Sequence, residues 1–154
     1  QLEGSKTFSR KFCKRHNIPQ PHFEYCSDLE TAKKQIALLK GYCVVKADGL
    51  AAGKGVVVCD TIEEAINASS QMLEENIFGD AGKSILIEER ITGIEASVFA
   101  VSDGDNVVVI GNAQDHKSAY DNDIGPNTGG MGAISPAPAL DDKCNKNILD
   151  NIIL

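Results

Sequence analysis

A glycine-rich segment between two valine-rich runs constrains the fold more than any other feature of the chain. Residues 43–47 and 55–59 are the valine-rich runs, and the segment between them contains Gly49 and Gly53. Two such runs joined by a short glycine-bearing loop are typical of a β-hairpin. Glycines allow backbone N–H groups to approach phosphate oxygens closely, and Lys54 adds a positive charge. The segment is therefore a candidate phosphate-binding loop.

The loop does not have the pattern of a P-loop, in which four residues separate two glycines and Lys-Ser or Lys-Thr follows. Here three residues separate Gly49 from Gly53, and Gly55 occupies the place of the hydroxyl residue. A P-loop also opens a helix, whereas residues 56–58 are all valine and predict a strand. A hairpin tip that binds no ligand remains an alternative interpretation.

Lys46 lies inside the first valine-rich run and indicates a bound anion. A lysine is rarely buried without a partner, and a phosphate group is a suitable partner. The alternative is a lysine on an edge strand that faces solvent.

The rest of the chain alternates short helices and strands. Helical spacing of apolar residues predicts three helices, at 5–16, 29–39 and 62–77. Thr61 and Glu64 predict a capping box for the third helix. Alternating apolar residues predict further strands, at 22–26, 84–89, 95–102 and 106–112. Asp141 or Asp142 is expected to cap a last helix, so the predicted fold class is α+β with largely antiparallel strands.

Residues 114–138 show no periodicity and are rich in Gly, Pro, Asn and Asp. A long segment of this kind inside a compact domain is usually functional or disordered, and its varied composition argues against a simple linker. We expect a functional loop without regular structure here, with His116 as a candidate substrate contact.

The composition excludes several classes of function. A net charge of −7 disfavours binding to a nucleic-acid backbone, which usually requires a basic face. No apolar run approaches the ~20 residues that a membrane helix needs. The five cysteines form no Cys-x-x-Cys pair, which favours reduced thiols and a cytoplasmic location over disulfides or zinc.

Residues 87–95 join two predicted strands and are rich in glutamate. The backbone of such a connection can pair with the edge of a base. Glu88 can accept a hydrogen bond from an exocyclic amine, and Glu95 can accept hydrogen bonds from ribose hydroxyls. A solvated acidic turn is the alternative interpretation.

Five segments together resemble the ATP-grasp ligases, and within them the phosphoribosylamine–glycine ligase family. The segments are 3–6 (EGSK), 46–56 (KADGLAAGKGV), 78–82 (FGDAG), 114–117 (QDHK) and 125–133 (GPNTGGMGA). The last segment is the most specific. The resemblance implies an ATP-grasp fold, with a leading helix and linker at 1–20, a small lid subdomain at 21–90 and the beginning of a larger antiparallel-sheet subdomain at 91–154.

The resemblance also implies a role for each matching residue. Lys6 and Lys46 are expected to contact the phosphates of ATP and to act in catalysis. The expected lid consists of Gly53, Lys54 and Gly55. The expected contacts to adenine and ribose are Glu88, Glu89, Ile91 and Glu95. Family members commonly carry an acidic residue where Ile94 stands. The expected pocket for glycine and 5-phosphoribosylamine is lined by Gln114, Asp115, His116, Lys117, Asn127, Thr128, Gly129 and Gly130.

The implied reaction is ATP-dependent ligation of glycine to 5-phosphoribosylamine, with Mg²⁺ or Mn²⁺. The metal ligands are expected beyond Leu154, because the family carries them further along the chain. We expect a piece of a longer protein that does not catalyse ligation alone and whose parent can be joined to other purine-pathway domains. Two alternatives remain: another ATP-grasp carboxylate–amine ligase, and a non-catalytic nucleotide-binding module.

Overall fold

The computed structural model describes residues 1–51, 54–122 and 124–153, apart from the side chains of Pro126 and Asn127. It divides into two compact units, Gln1–Ile91 and Thr92–Leu154. The elements of the first unit are α1 (Lys6–Arg15), β1 (Phe23–Cys26), α2 (Leu29–Leu38), β2 (Cys43–Ala47), β3 (Val56–Cys59), α3 (Ile62–Leu73), a 3₁₀ turn (Gly79–Gly82) and β4 (Ile85–Glu89). Residues 1–20, expected to form a separate leading segment, lie within this unit.

The first unit is built on a four-stranded sheet with the order β1-β4-β2-β3, in which every pair is antiparallel. The predicted hairpin of β2 and β3 is therefore confirmed. Lys46 pairs with Val56 on one side and with Leu86 on the other. Because β2 has a neighbour on both sides, Lys46 does not lie on an edge strand, and that alternative is excluded.

The core of the first unit lies between the sheet and the two helices α2 and α3. Its largest fully buried side chains include Ile36, Val45, Met72, Ile85 and Ile87. Alternate residues of β2 and β4 face this core, so their other residues face the opposite side of the sheet. That opposite side carries Lys46 and the buried Glu88.

Side-chain caps begin the helices as the sequence indicates, but α3 differs from the prediction in two details. The Thr61 hydroxyl accepts from the Glu64 amide, as predicted, while the Glu64 carboxylate accepts from the amide of Asp60 rather than of Thr61. The helix ends at Leu73 and not near Ile77. Asn76 has a φ of 53°, a left-handed conformation that a right-handed helix cannot include.

The second unit contains the strands β5 (Ser97–Ser102), β6 (Val107–Tyr120) and β7 (Ile124–Ile134), then α4 (Asp142–Ile148) and a π-helical turn (Leu149–Ile153). Strands β5 and β6, which correspond to the strands predicted at 95–102 and 106–112, pair as an antiparallel hairpin. The Asp103 carboxylate closes its turn by accepting from the amides of Asp105 and Asn106. Asp141 caps α4 through the amide of Cys144.

The prediction that residues 114–138 lack regular structure is wrong. Strand β6 continues to Tyr120, and β7 pairs with it in an antiparallel register. The register is interrupted twice between His116 and Tyr120, and Gly130 adopts a positive φ of 125°. Backbone hydrogen bonds hold this strand pair without a regular alternation of apolar side chains, which is why the sequence pattern does not reveal it.

Candidate functional site

The candidate site of the first unit is a small cleft with three cations around one carboxylate. A cavity of about 270 Å³ is lined by Leu2, Lys6, Ser9, Arg10, Lys46 and Glu88. Helix α1 contributes the side chains of Lys6 and Arg10, which lie one helical turn apart on the same face. Strand β2 contributes Lys46, and β4 contributes Glu88.

Glu88 is the centre of this cleft, and only 1% of its surface is exposed. Its Oε1 accepts from Nε of Arg10 at 2.6 Å, and its Oε2 accepts from Nη2 at 2.8 Å. The Nζ of Lys46 lies 2.6 Å from the same Oε2. Burial raises the pKa of Glu88, but the hydrogen bonds from Arg10 and Lys46 outweigh it, so the pKa is lowered and Glu88 is a carboxylate.

Lys6 holds the beginning of the glycine-rich loop. Its Nζ donates to the carbonyl oxygen of Ala47 at 2.7 Å and to that of Gly49 at 3.0 Å. Burial lowers the pKa of Lys6; the carboxylate of Asp48 raises it, and the positive charge of Lys46 lowers it further. The effect of Lys46 on Lys6 shows that two positive charges lie close together. A bound anion would reduce the repulsion between them.

Two glycines allow the loop to pack closely. A Cβ on Gly49 would lie 2.8 Å from Cα of Ala81, and a Cβ on Gly55 would lie 2.6 Å from Cβ of Ala51. The predicted lid residue Lys54 is exposed and donates its amide to the carbonyl of Ala51 at 2.9 Å. Gly53 lies outside the described residues, so the lid role of residues 53–55 stays a prediction.

The expected adenine contacts lie near the end of β4. The Glu89 carboxylate accepts from the amide of His22 at 3.2 Å, and Ile91 is exposed. Glu88 lies within β4 rather than in the connection that follows it, and both of its oxygens are engaged by cations. Contact of Glu88, Glu89 and Ile91 with adenine stays a prediction.

The second unit contains a larger cavity, of about 430 Å³. It is lined by Gly93, Ile94, Glu95, Gln114, Asp115, His116, Lys117, Ser118 and Asn122. It brings together the residue expected to bind ribose, Glu95, and the four consecutive residues that were expected to bind substrates. Strand β6 carries those four residues in succession.

Lys117 is the charged centre of this larger cavity. Its ammonium pairs with the Glu95 carboxylate and lies 3.5 Å from Oδ2 of Asp115. The hydrogen bond to Glu95 raises the pKa of Lys117, burial opposes this, and the charges of Glu95 and Asp115 support it. Among the described residues, the buried Oε1 of Gln114 has no hydrogen-bond donor. A ligand with an N–H or O–H group can satisfy that oxygen.

The other expected substrate residues lie in β7 beside Lys117. The Thr128 hydroxyl donates to the carbonyl of Lys117 at 2.9 Å and accepts from the amide of Gly130 at 3.0 Å. Gly129 follows Thr128 in the strand, and the backbone of Asn127 pairs with Ser118. The side chain of Asn127 lies outside the described residues. These residues hold β7 against β6, and their contact with substrate stays a prediction.

Arg10 is the charged residue of the cleft that sequence reasoning missed. The available signal was its position four residues after Lys6, which places both side chains on one face of α1. Helix α1 carries other basic residues as well, so spacing alone does not single out Arg10.

Neither unit contains a metal centre within residues 1–51, 54–122 and 124–153. No three His, Cys, Asp or Glu side chains of those residues gather closely enough to hold an ion. In the same ranges, no helix combines the length and apolar character that a membrane crossing requires.

Comparisons with known proteins show which family this chain belongs to. The sequence profile described as "Phosphoribosylglycinamide synthetase, ATP-grasp (A) domain" matches residues 4–154. The phosphoribosylamine–glycine ligase of Yersinia pestis is 49% identical over 153 residues, which are 99% of this chain and 36% of that protein. The chain thus spans about a third of the length of this curated relative.

Solved structures agree with the profile. The crystal structure of phosphoribosylamine–glycine ligase from Thermotoga maritima is 38% identical, with a TM-score of 0.78 over 86% of this chain and 34% of that one. The biotin carboxylase domain of Hydrogenobacter thermophilus 2-oxoglutarate carboxylase, solved with magnesium ADP, is 21% identical. Its TM-score is 0.73 over 99% of this chain and 33% of that one. It shares the fold, and the predicted α+β ATP-grasp fold is confirmed. This chain belongs to the phosphoribosylglycinamide synthetase ATP-grasp (A) domain family.

Proposed function

We propose that this chain is the ATP-binding region of an enzyme that joins glycine to 5-phosphoribosylamine, in de novo purine biosynthesis. The observation that carries the proposal is the cleft lined by Lys6, Arg10 and Lys46, in which Arg10 and Lys46 share the carboxylate of Glu88. When Asp48, whose charge acts on Lys6, is counted as well, three cations and two carboxylates leave a positive charge of about one, which favours an anionic ligand such as a polyphosphate. The two substrates, glycine and 5-phosphoribosylamine, are proposed from the name of relatives in the same family, the phosphoribosylamine–glycine ligases.

The proposed reaction has two steps. The carboxylate of glycine attacks the γ-phosphorus of ATP, which forms glycyl phosphate and releases ADP. The amine of 5-phosphoribosylamine then attacks the glycyl carbonyl, loses a proton and displaces phosphate, giving glycinamide ribonucleotide. The protein contributes alignment and charge neutralisation rather than covalent chemistry.

Each unit has its own part in this proposal. In the first unit, Lys6 and Lys46 neutralise phosphate charge, and the loop at 53–55 covers the phosphates and excludes water from the acyl phosphate. In the second unit, Glu95 holds ribose. The remaining polar groups of the larger cavity and of β7 hold glycine and 5-phosphoribosylamine.

The Hydrogenobacter domain, which shares the fold, was solved in complex with magnesium ADP. Among the described residues, no three His, Cys, Asp or Glu side chains gather closely enough to hold such an ion by themselves. We therefore derive no step through the metal and place its ligands in the longer parent protein. The free thiols of the described cysteines favour a cytoplasmic parent.

The first experiment measures ATP binding by the 154-residue chain with titration calorimetry. Lys46→Met removes one cation of the cleft and is expected to weaken binding at least about tenfold, because a charged contact is lost. Lys33→Met removes an exposed lysine of α2 and serves as the control, with unchanged affinity expected. If Lys46→Met binds ATP as the wild type does, the phosphate role of Lys46 is wrong.

The second experiment tests the acceptor substrates in a chimera. Residues 1–154 replace the matching segment of the Yersinia pestis relative, and the product formed from glycine and 5-phosphoribosylamine is identified by mass spectrometry. Glycinamide ribonucleotide supports the proposal. ATP hydrolysis with other amine acceptors only would favour a different ATP-grasp ligase. ATP binding by a well-folded chimera without any turnover would favour a non-catalytic module.

A further inference from the structure

Arg10 makes a two-point contact with Glu88 in the cleft and has no role in the reaction described above. It meets Glu88 with two parallel N–H groups, at 2.6 and 2.8 Å. Glu88 in turn reaches Lys46 at 2.6 Å. The three side chains form a chain of contacts that begins on α1, crosses β4 and ends on β2.

The charges explain why a third member is needed. Lys46 and Glu88 alone form a neutral pair, which offers no net attraction to a phosphate. With Arg10 present, the same carboxylate is shared between two cations, and the group of three carries a net positive charge. Arg10 therefore allows Glu88 to hold the Lys46 ammonium without cancelling its charge.

The geometry explains why the third member is an arginine. A guanidinium is planar and binds both oxygens of a carboxylate at once, which fixes the plane and rotation of that carboxylate. A lysine has four rotatable bonds and loses considerable entropy when it is held in one position. A carboxylate with a fixed orientation gives Lys46 one preferred position for its Nζ.

Helix α1 is itself anchored, which makes Arg10 a rigid support. The Lys6 amide donates to the carbonyl of Asp48 at 3.1 Å, and the side chain of Gln20 donates to the Arg10 carbonyl at 3.0 Å. The Arg10 side chain is only 23% exposed. Its position is thus set by the packing of α1 rather than by the ligand.

We propose that Arg10 is a positioning residue that acts through Glu88, orienting its carboxylate so that the Lys46 ammonium is held toward the nucleotide phosphates. The inference rests on the proposed function for the identity of the ligand. The contact network of Arg10, Glu88 and Lys46 is independent of the proposed function. A direct contact of Arg10 with phosphate is the competing explanation, and it predicts a different pattern of variants.

The variants are Arg10→Met, Arg10→Lys, Glu88→Gln and the double variant with Arg10→Met and Glu88→Gln, with ATP affinity as the readout. Arg10→Met is expected to weaken binding about tenfold or more, and Arg10→Lys to recover part of the loss. In the Glu88→Gln background, Arg10→Met should change the affinity less than about twofold, because its target is already altered. An equal loss in both backgrounds overturns the proposal in favour of direct contact. Unchanged binding by folded Arg10→Met overturns it outright.

A second measurement needs no nucleotide. Carbon-detected NMR of chain labelled with ¹³C-glutamate and ¹³C-lysine follows the titration of the Glu88 carboxyl and the side chain of Lys46. The Glu88→Gln and Lys46→Met spectra assign the two signals. Arg10→Met is expected to raise the midpoint of this titration and to shift the Lys46 side-chain resonances at neutral pH. An Arg10→Met spectrum with Lys46 unmoved contradicts the positioning role. If the wild type fails to bind ATP, the proposed function is rejected. The NMR result on Glu88 and Lys46 does not change in that case.

Discussion

The Oδ1 atom of Asp48 accepts a hydrogen bond of 2.7 Å from the amide of Thr7, in the first turn of α1. The same carboxylate also accepts from the hydroxyl of Ser5, the N-cap residue. The first turn of α1 contains no acidic residue of its own. The glycine-rich loop thus supplies the negative charge that a helix N-terminus favours, and it is fastened to α1 by doing so.

Replacing Asp48 by Ala is therefore expected to affect both stability and the loop. The Thr7 amide loses its acceptor, so the free energy of unfolding should fall by about 1–2 kcal/mol in urea titrations. Asp28→Ala is the matched control, because Asp28 caps α2 through the Thr31 amide at 2.7 Å, away from the loop. Both variants should lose stability, but only Asp48→Ala should speed hydrogen exchange at Gly49 and weaken ATP binding. Equal exchange at Gly49 in the two variants would contradict this role.

The buried Glu88 predicts a pH dependence of stability. Its pKa is lowered in the folded chain, since the contacts with Arg10 and Lys46 outweigh the effect of burial, whereas the ordinary value is 4.5. The stabilisation is therefore present above pH 4.5 and is lost as the pH falls through the lower, folded value. Urea unfolding between pH 7 and 3 should show a steep loss in the wild type.

Glu88→Gln should have a flatter pH profile over the same range. At neutral pH it should be less stable by about 3 kcal/mol, because Arg10 and Lys46 lose their common partner. Parallel profiles for the two proteins would show that Glu88 does not carry the pH dependence.

Adding a methyl group at Gly55 tests the close packing beneath the glycine-rich loop. A Cβ at this position would lie 2.6 Å from Cβ of Ala51 and 3.0 Å from Cβ of Ala47. Gly55→Ala should cost about 1–3 kcal/mol, as overpacking does, in thermal unfolding of the chain. Gly4→Ala is the control within the same unit, because nothing lies within 4 Å of its added methyl group. A Gly55→Ala variant as stable as Gly4→Ala would mean that the loop does not pack as described.

The cysteines provide a test of the first unit that is independent of function. Burial raises the pKa of Cys59 to about 11 and that of Cys26 to about 12, and both side chains are buried. The thiolate is the reactive form, so both should resist iodoacetamide at pH 8 until the chain unfolds. The exposed Cys144 should be alkylated first, although its contact with Asp141 raises its pKa as well. Mass spectrometry of peptides over time, with and without urea, measures the order, and early labelling of Cys59 would contradict the buried sheet.

Local signals explain which parts of the fold are predictable from the sequence. The hairpin of β2 and β3 follows from its valine runs and glycines, and the caps at Thr61 and Asp141 follow from their side chains. The pairing of β6 with β7 depends on contacts between distant backbones, and its interrupted register removes the alternation that a pattern requires. The pairing of β6 with β7 is therefore seen in the structure but not in the sequence pattern.

The candidate site is likewise predictable only where local sequence determines it. The buried setting of Lys46 was predictable, because a lysine within an apolar strand needs a partner. Its partner in the structure is Glu88, on a neighbouring strand far along the sequence. The choice of Arg10 among the basic residues of α1 depends on how the helix docks on the sheet, and spacing alone does not determine that.

Strand β6 takes part in two pairings in succession, since residues 107–109 and 111–113 pair with β5, and residues 114–116, 118 and 120 pair with β7. Among the described residues, no position of β6 therefore has a paired strand on both sides. Val108 and Ile110 are exposed along the same strand. An unpaired, apolar edge is a template for another strand, so the 154-residue chain taken alone should self-associate as its concentration rises, which sedimentation velocity measures.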